Sequence, residues 1–569
     1  MTAKIKNSYI CQTFIQRFYM KSAKRVHLYI WGLILLSSIL LSLPFLVDHL
    51  GFLALFGLVP LFLIEDICDK RSIKGATWYY YALFVIWNII TTYWVSYATL
   101  PGGIAAILLN AFQMSLVFWF YRLFKRRIAS SYPSGGKAFI PYLFFIVTWL
   151  GWEHYYFDAE VSWPWLVLGN AFAGSIKSIQ WYEYTGVLGG SLWILLSNVL
   201  LYRIIVLERG RDRGAVEGKY QRRGRIALYA GYAALIVAPF AVSAVMFSSY
   251  KEKEMPKEFL VLQPNIEPYQ DKFNFLSREM QDDILFNLAE RGVTPNTAFV
   301  VAPETFTWYI DEDKPQASPT VRRMKKFVDE HKQVNFITGA VTMKRYTTRN
   351  APTHTAKKGR GYWYDTFNAS VFMDSTGKCE FFHKSKLVVL TEFIPYPKLL
   401  APINKLAIEL GGATGSYGTQ PEITIFTGSD GTKVGTAICY ESVYGDYYRD
   451  YVLKGAHAMT IITNDGWWSN TPGYMQHLRY ASLRAIETRR SIARSANTGI
   501  SAFINQKGER VSELEWWQEN CMSGTLNLND ELTFFVKHGD YIGRLATFMF
   551  TLLALLYFTI AVTKRAKKK

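Results

Sequence analysis

Lys433-Val434-Gly435-Thr436-Ala437-Ile438-Cys439-Tyr440-Glu441-Ser442 is a short apolar run that stops on a cysteine before a polar turn. A strand ending this way presents the sulfur at a sheet edge. If a helix begins there, its N-terminal dipole favours thiolate over thiol. Read alone, Cys439 is more often a buried core cysteine. A second run has the same form: Phe299-Val300-Val301-Ala302-Pro303-Glu304 ends on a carboxylate. Packing explains that glutamate poorly, and partial desolvation there suits a general base; the other reading is a helix N-terminal residue. Between the two lies Phe381-Phe382-His383-Lys384-Ser385-Lys386-Leu387, followed by Thr391-Glu392-Phe393-Ile394-Pro395. Lys384 could place positive charge where an oxyanion develops, or be an ordinary surface lysine.

Around these runs, β-rich segments alternate with polar helical ones. Strands are expected at Phe259–Gln263, Ala298–Ala302, Asn335–Val341, Phe367–Asp374, Lys433–Ile438, Ala458–Thr463 and Ile500–Asn505, and helices over 276–291, 318–331 and 474–489. That alternation predicts an α/β layered domain over 250–540. The basic, glycine-containing segment Thr347–Gly361 reads as a mobile loop. The five cysteines suit neither a zinc site nor a disulfide framework; a Cys379–Cys521 bridge and unpaired thiols both stay open.

The rest of the chain is of another kind. Half of the 569 residues are hydrophobic and only 19% are charged, which points to a chain part in bilayer and part in water. Apolar runs at about 27–47, 50–66, 77–99, 102–124, 137–156, 181–204, 226–248 and 542–562 predict about eight spans, 50–66 being the shortest. Domains are therefore expected at 1–249 (about seven spans), 250–540 and 541–569 (the last span and a basic tail). Few ionisable groups are read inside the spans. The net charge of +18 has no nucleic-acid motif beside it. Its basic residues cluster between the runs and at both termini: Lys4 to Arg25, Lys70 to Lys74, Arg122 to Arg127, Arg203 to Arg225, and Lys564 to Lys569. With eight spans, every cluster falls on one side. Both termini are then cytoplasmic and the 250–540 domain lies outside. The loop Trp163-Pro164-Trp165-Leu166 is apolar yet lies between spans, either in the membrane interface at a lipid entrance or in ordinary packing.

Glu, Lys and Cys in this order resemble the carbon–nitrogen hydrolase (nitrilase) superfamily. Pro303-Glu304, His383-Lys384, Ile438-Cys439-Tyr440-Glu441 and Asn464-Asp465-Gly466-Trp467-Trp468 carry the resemblance. Inserted between membrane spans, such a domain is similar to one membrane-bound family, the apolipoprotein N-acyltransferases. Trp163-Pro164-Trp165 and Gln476-His477 with Arg484-Ala485 and Glu487 extend the likeness. The resemblance implies an αββα catalytic domain, with Glu304, Lys384 and Cys439 catalytic. It also implies Glu392, Tyr440, Glu441, Asn464, Asp465 and Trp467 as supporting or substrate-binding residues. Two departures stand out. The family's Leu-Val-Pro-Phe-Gly-Glu is here Leu387-Val388-Val389-Leu390-Thr391-Glu392, and Phe273 stands where a tryptophan follows the Asn-Ile motif.

The resemblance further implies the reaction. Cys439 takes a fatty acyl chain from the sn-1 position of a phospholipid and passes it to the α-amine of a diacylglyceryl-modified apolipoprotein, in a bacterial inner membrane with the catalytic domain periplasmic. No metal or organic cofactor and no nucleic-acid partner are implied, and a monomer is expected. A membrane-tethered amidase, an N-acyltransferase acting on another amine-bearing lipid, and a transporter or receptor with an inactive module are the alternatives.

Overall fold

The computed structural model describes residues 23–131, 139–211, 219–267, 276–396 and 416–566. Its N-terminal part is helical: α1 (Ala23–Leu46), α2 (Val59–Lys70), α3 (Ala76–Thr92), α4 (Leu100–Ser131), α5 (Ile140–Tyr156), α6 (Tyr182–Arg211) and α7 (Lys219–Ser249). Among the described residues six helical stretches are long and apolar enough to cross a membrane: Lys24–Leu46, Gly51–Lys70, Leu100–Ala129, Tyr182–Arg209, Arg222–Ser249 and Tyr541–Thr563. α3 and α5, with 17 residues each, are shorter. Leu28, Trp78, Val237, Leu555 and Phe558 stand exposed on these helices. Such apolar surface belongs against lipid rather than water.

Ionisable groups within the helices are more numerous than the apolar runs suggest. Glu65 is fully buried, with Arg122 Nε at 3.3 Å and Lys125 Nζ at 3.8 Å. Asp69 holds Arg126 at 2.7 Å. Glu153, also fully buried, accepts from Trp149 Nε1 (3.0 Å) and Leu168 N (2.8 Å). Each has partners, as charge inside a membrane requires, and these contacts tie α2 to α4 and α5 to the loop after it.

The strands form two sheets. The larger contains β1 (Pro256–Gln263), β2 (Thr297–Val301), β3 (Thr307–Asp311), β4 (Asn335–Tyr346), β5 (Lys357–Lys358), β6 (Trp363–Met373), β7 (Cys379–His383) and β14 (Asn520–Asn527). Its order is β14-β1-β2-β4-β6-β5, with β3 beside β4 and β7 beside β6. The smaller contains β8 (Ile425–Thr427), β9 (Lys433–Ile438), β10 (Ala458–Thr463), β11 (Ile492–Ala496), β12 (Ala502–Ile504) and β13 (Arg510–Glu513), paired in reverse order. β1, β2 and β4 run parallel, as do β9, β10 and β11. Such strands are buried on both faces and read as unbroken apolar runs, which makes them visible in the sequence. The sheets share one core, where Phe372 stacks on Phe426 at 4.9 Å and Phe259 on Phe299 at 5.1 Å. Helices α8 (Arg278–Gly292) and α9 (Pro319–Glu330) cover the larger sheet. Helices α10 (Gly445–Leu453) and α11 (Pro472–Thr488) flank the smaller one. The result is an αββα sandwich, followed by α12 (Tyr541–Ala566).

Two expectations change here. Thr347–Gly361 contains β5, and Thr353 and Thr355 donate to the two oxygens of Asp365 at 2.7 and 2.8 Å, so the segment is tied to β6. Cys379 and Cys521 are free thiols. Cys379 lies on β7 and Cys521 on β14, with β1, β2, β4 and β6 between them. At about 4.8 Å per strand no disulfide can span that distance.

The catalytic and membrane parts meet on α11. Gln476 accepts from Trp165 Nε1 (2.6 Å) and donates to Thr91 O (3.1 Å). Tyr480 donates to Trp165 O (2.8 Å), and Arg479 pairs with Asp48 (2.8 Å). The Trp163–Leu166 loop is thus no surface feature. Trp165 is fully buried, stacked on Trp163 and packed edge-on to Trp94 at 4.9 Å.

Gly339 on β4 shows how tightly the layers fit. A Cβ there would lie 2.5 Å from Glu304 Cα. Gly339→Ala is expected to cost about 1–3 kcal/mol by overpacking, seen as a lower thermal midpoint of the detergent-solubilised protein. An unchanged midpoint would show that the corner after β2 has room to yield.

Candidate active site

The ends of β2, β7 and β9 converge. Glu304 follows β2 on a corner fixed by Gly339 N to Pro303 O (3.0 Å) and Phe306 N to Gly339 O (2.9 Å). Lys384 follows β7, its N–H bonded to Asn368 O (2.8 Å). Cys439 follows β9. All three are buried, as is Glu392.

Lys384 Nζ donates to Glu304 Oε1 and to Glu392 Oε1, both at 2.9 Å. Asn368 Nδ2 donates to the same two oxygens, both at 2.8 Å. Two carboxylates therefore share two donors in a closed ring. Burial alone would drive the proton off Lys384, but Glu304 and then Glu392 reverse this and hold its pKa well above the ordinary lysine value. The lysine is a fixed cation.

Cys439 is the opposite case. Burial first, then the charge of Glu304, pushes its thiol well above the usual range, against the pull of Lys384. The thiolate expected from a helix dipole is not its resting form. β9 runs into a five-residue 3-10 turn, Cys439–Val443, too short to carry much of a macrodipole. Proton removal must instead come from a neighbouring base.

Glu392 reaches the ring through the altered loop. Its Oε2 accepts from Val388 N (2.7 Å), its N–H bonds Val388 O (2.9 Å), and Leu390 N bonds Phe393 O (2.8 Å). Leu390 takes φ +64° to make this turn. The replaced Pro, Phe and Gly thus leave a closed loop that still delivers the carboxylate.

A cavity of about 770 Å³ lies alongside, lined among others by Phe157, Ser162, Lys386, Phe393, Tyr417 and Tyr444. Tyr417 is within electrostatic reach of Glu392, Lys384 and Glu304.

The two parts of the chain match two family models. Residues 37–200 match the apolipoprotein N-acyltransferase N-terminal domain, and residues 280–531 match the carbon-nitrogen hydrolase domain. The chain is 29% identical to the apolipoprotein N-acyltransferase of Chlorobaculum tepidum, over 93% of this chain and 96% of that one. It is 24% identical to that of Geobacter metallireducens, over 89% and 91%. The chain belongs to the apolipoprotein N-acyltransferase family. Solved structures similar to the catalytic part include Saccharomyces cerevisiae Nit3 of the nitrilase superfamily (15% identity, 49% of this chain and 92% of that one, TM-score 0.34). Another is an amidase from Nesterenkonia sp. (13%, 51% and 94%, TM-score 0.32).

The remaining residues of the N-acyltransferase pattern surround the ring and brace it. Glu441 is a bracket: it accepts from Ser385 N (2.7 Å), Ile438 N (2.8 Å) and Tyr447 OH (2.9 Å), joining the lysine loop to the cysteine turn. Burial raises its pKa to about 7 despite these donors. Tyr440 stacks on Trp163 at 6.0 Å and donates to Ser162 O (3.0 Å), docking the turn on the membrane part. Asn464 accepts from Asn497 Nδ2 and Thr498 Oγ1, both at 3.3 Å. Asp465 pairs with Arg494 (2.6 Å) and His477 (2.9 Å). Trp467 is half-buried on the turn after Asn464. Phe273 lies outside the described residues. Asn368 escapes a sequence reading; its only trace is a polar residue inside the apolar run Phe367–Met373.

The donors of Cys439, Asp465 and His477 lie within 4.8 Å of one another, a metal-like spacing. Both Asp465 oxygens and both His477 nitrogens, however, already face protein partners.

The sign of the Cys439 shift is open to test. Glu304→Gln removes the charge that raises it, so alkylation by iodoacetamide at pH 8 is expected to quicken and its pH midpoint to fall. An unchanged rate would mean that the charge of Glu304 does not act on the thiol, and a slower one that its loss as a base outweighs the loss of its charge.

Proposed function

We propose that the protein transfers an acyl chain in two steps through Cys439, within the N-acylation of lipoproteins to which its family membership assigns it. The observation that carries this reading is the buried Glu304–Lys384–Glu392–Asn368 ring beside the buried Cys439 thiol.

Glu304 spends Oε1 on Lys384 and Asn368, which leaves Oε2 to take the thiol proton. The sulfur attacks the sn-1 ester carbonyl of a phospholipid. Lys384, with N–H groups of the Cys439 turn, stabilises the tetrahedral oxyanion. Collapse breaks the ester C–O bond. Glu304 returns its proton to the leaving oxygen, a lysophospholipid departs and a thioester remains. The α-amine of a diacylglyceryl-cysteine then attacks the thioester. Glu304 takes the amine proton and returns it to the sulfur, giving the amide and the free thiol. Glu392 keeps Lys384 charged throughout.

Both substrates are lipid-anchored, and this fits an integral membrane protein whose catalytic layer rests on its own helices. In this reading residues 1–249 and 541–569 are the membrane part. The 250–540 domain faces the outer, periplasmic side, with both termini cytoplasmic. The positive-inside distribution supports it. An amidase that delivers the acyl group to water would need neither so many helices nor the cavity beside Lys386.

Incubation with phospholipid alone is expected to add the mass of one fatty acyl chain to the intact protein. The adduct should be labile to hydroxylamine and discharged by a diacylated lipopeptide. Cys439→Ala and Glu304→Gln should show no adduct, while Cys379→Ser and Cys521→Ser acylate normally. Acylation of Cys439→Ala would sink the mechanism, and free fatty acid in place of N-acylated lipopeptide would favour the amidase.

A further inference from the structure

Behind the nucleophile stands a chain of buried polar groups that the two-step scheme does not use. Cys439 sits at φ +50°. An L residue adopts that left-handed backbone at a cost of about 1–2 kcal/mol, so neighbours must hold it. Its carbonyl is gripped twice, by Ser442 Oγ at 2.7 Å and by His477 Nε2 at 3.1 Å. Nε2 also lies 2.9 Å from Ser442 Oγ, whose own hydrogen goes to the carbonyl, so Nε2 carries a hydrogen toward these two oxygens.

His477 is itself held. Its Nδ1 lies 2.9 Å from Asp465 Oδ1 and 3.2 Å from Arg494. Asp465 Oδ1 also accepts from Thr463 Oγ1 at 2.7 Å, and Oδ2 accepts from Arg494 at 2.6 Å. Arg494 and Asp465 have no exposure at all, and His477 only 1%. The partners come from the turn after β9, from the end of β10 and the turn after it, and from the middle of β11, while His477 itself stands on α11.

We propose that His477 is a positioning residue for the nucleophile. Through its Nε2–H it fixes the Cys439 carbonyl, and with it the strained turn that presents the thiol. This rests on the reading of Cys439 as the nucleophile. His477 is not a second base, since Nε2 serves the carbonyl and the Ser442 hydroxyl together and Nδ1 faces a buried ion pair. The same helix carries Gln476 and Tyr480, which grip Trp165. Tyr440, next to the nucleophile, stacks on Trp163. Seating the catalytic layer on the membrane helices therefore also sets the imidazole that holds Cys439.

The test uses the full-length protein in phospholipid–detergent mixed micelles, with thioester formation followed by intact mass. His477→Met fills the space without a donor. It is expected to slow acylation by on the order of 10–100-fold, the loss of a buried hydrogen bond, with the phospholipid KM unchanged. His477→Gln places an amide N–H near the same carbonyl and is expected to recover most of the rate. Wild-type acylation by the methionine variant would overturn the proposal, and so would equal slowing in both variants, which would mark a packing effect. If His477→Met does not fold, Ser442→Ala removes the hydroxyl that bonds the carbonyl and also holds the His477 Nε2–H against it. It is expected to slow acylation at an unchanged thermal midpoint, and a wild-type rate would overturn the proposal. A wild-type protein that forms no adduct overturns the nucleophile reading itself.

Discussion

One ammonium group between two carboxylates organises this molecule's chemistry. Lys384 is buried away from solvent, and a lysine in that position keeps its charge only because Glu304 and Glu392 both point oxygens at it. Removing either carboxylate leaves a buried charge short of a partner, so the three residues stand or fall together. Asn368 closes the ring with neutral donors and fixes the spacing of the two carboxylates without adding charge. The fold delivers each member from a different place: Glu304 and Lys384 from just past strand ends, Asn368 from the middle of β6 and Glu392 from a loop. The ring is therefore a product of tertiary packing and not of any local motif.

The membrane part acts on this ring at a distance. Its helices do more than anchor: the Trp163–Trp165 loop enters the body of the protein and meets both the Cys439 turn and α11. Trp468 completes the joint by packing on Trp94 at 4.7 Å. Burial of these large aromatic surfaces supplies much of the adhesion between the two parts. The Trp165 indole N–H, bonded to Gln476 across the joint, gives it a defined register.

The sequence is legible where burial is symmetrical. β9 and β10 are covered on both faces, and their apolar runs stand out with correct boundaries; β2 does so within a residue. β7, β13 and β14 are half-exposed edge elements of mixed polarity, and β11 hides in Ile492-Ala493-Arg494-Ser495-Ala496, whose Arg494 is buried only because Asp465 meets it. No one-dimensional pattern reveals that pairing. The same holds for the site. Glu304, Lys384 and Cys439 are found at run ends and by family likeness, whereas Asn368 and the true duty of Glu441 depend on which backbone amides lie across the gap. The basic cluster of α4 shows in the sequence, but its pairing with Glu65 and Asp69 of α2 does not, because near a span end composition cannot tell an exposed cluster from an interlocked one.

The protonated state of Cys439 has a consequence beyond acyl transfer. Peroxides and disulfides react with thiolates and scarcely with thiols. A buried sulfur that keeps its hydrogen until a base removes it does not enter the path to sulfenic and sulfinic acid while the enzyme idles. Among the described residues Cys439, Cys379 and Cys521 are all unbridged. The burial that keeps the hydrogen on the Cys439 sulfur also shelters it from such oxidants.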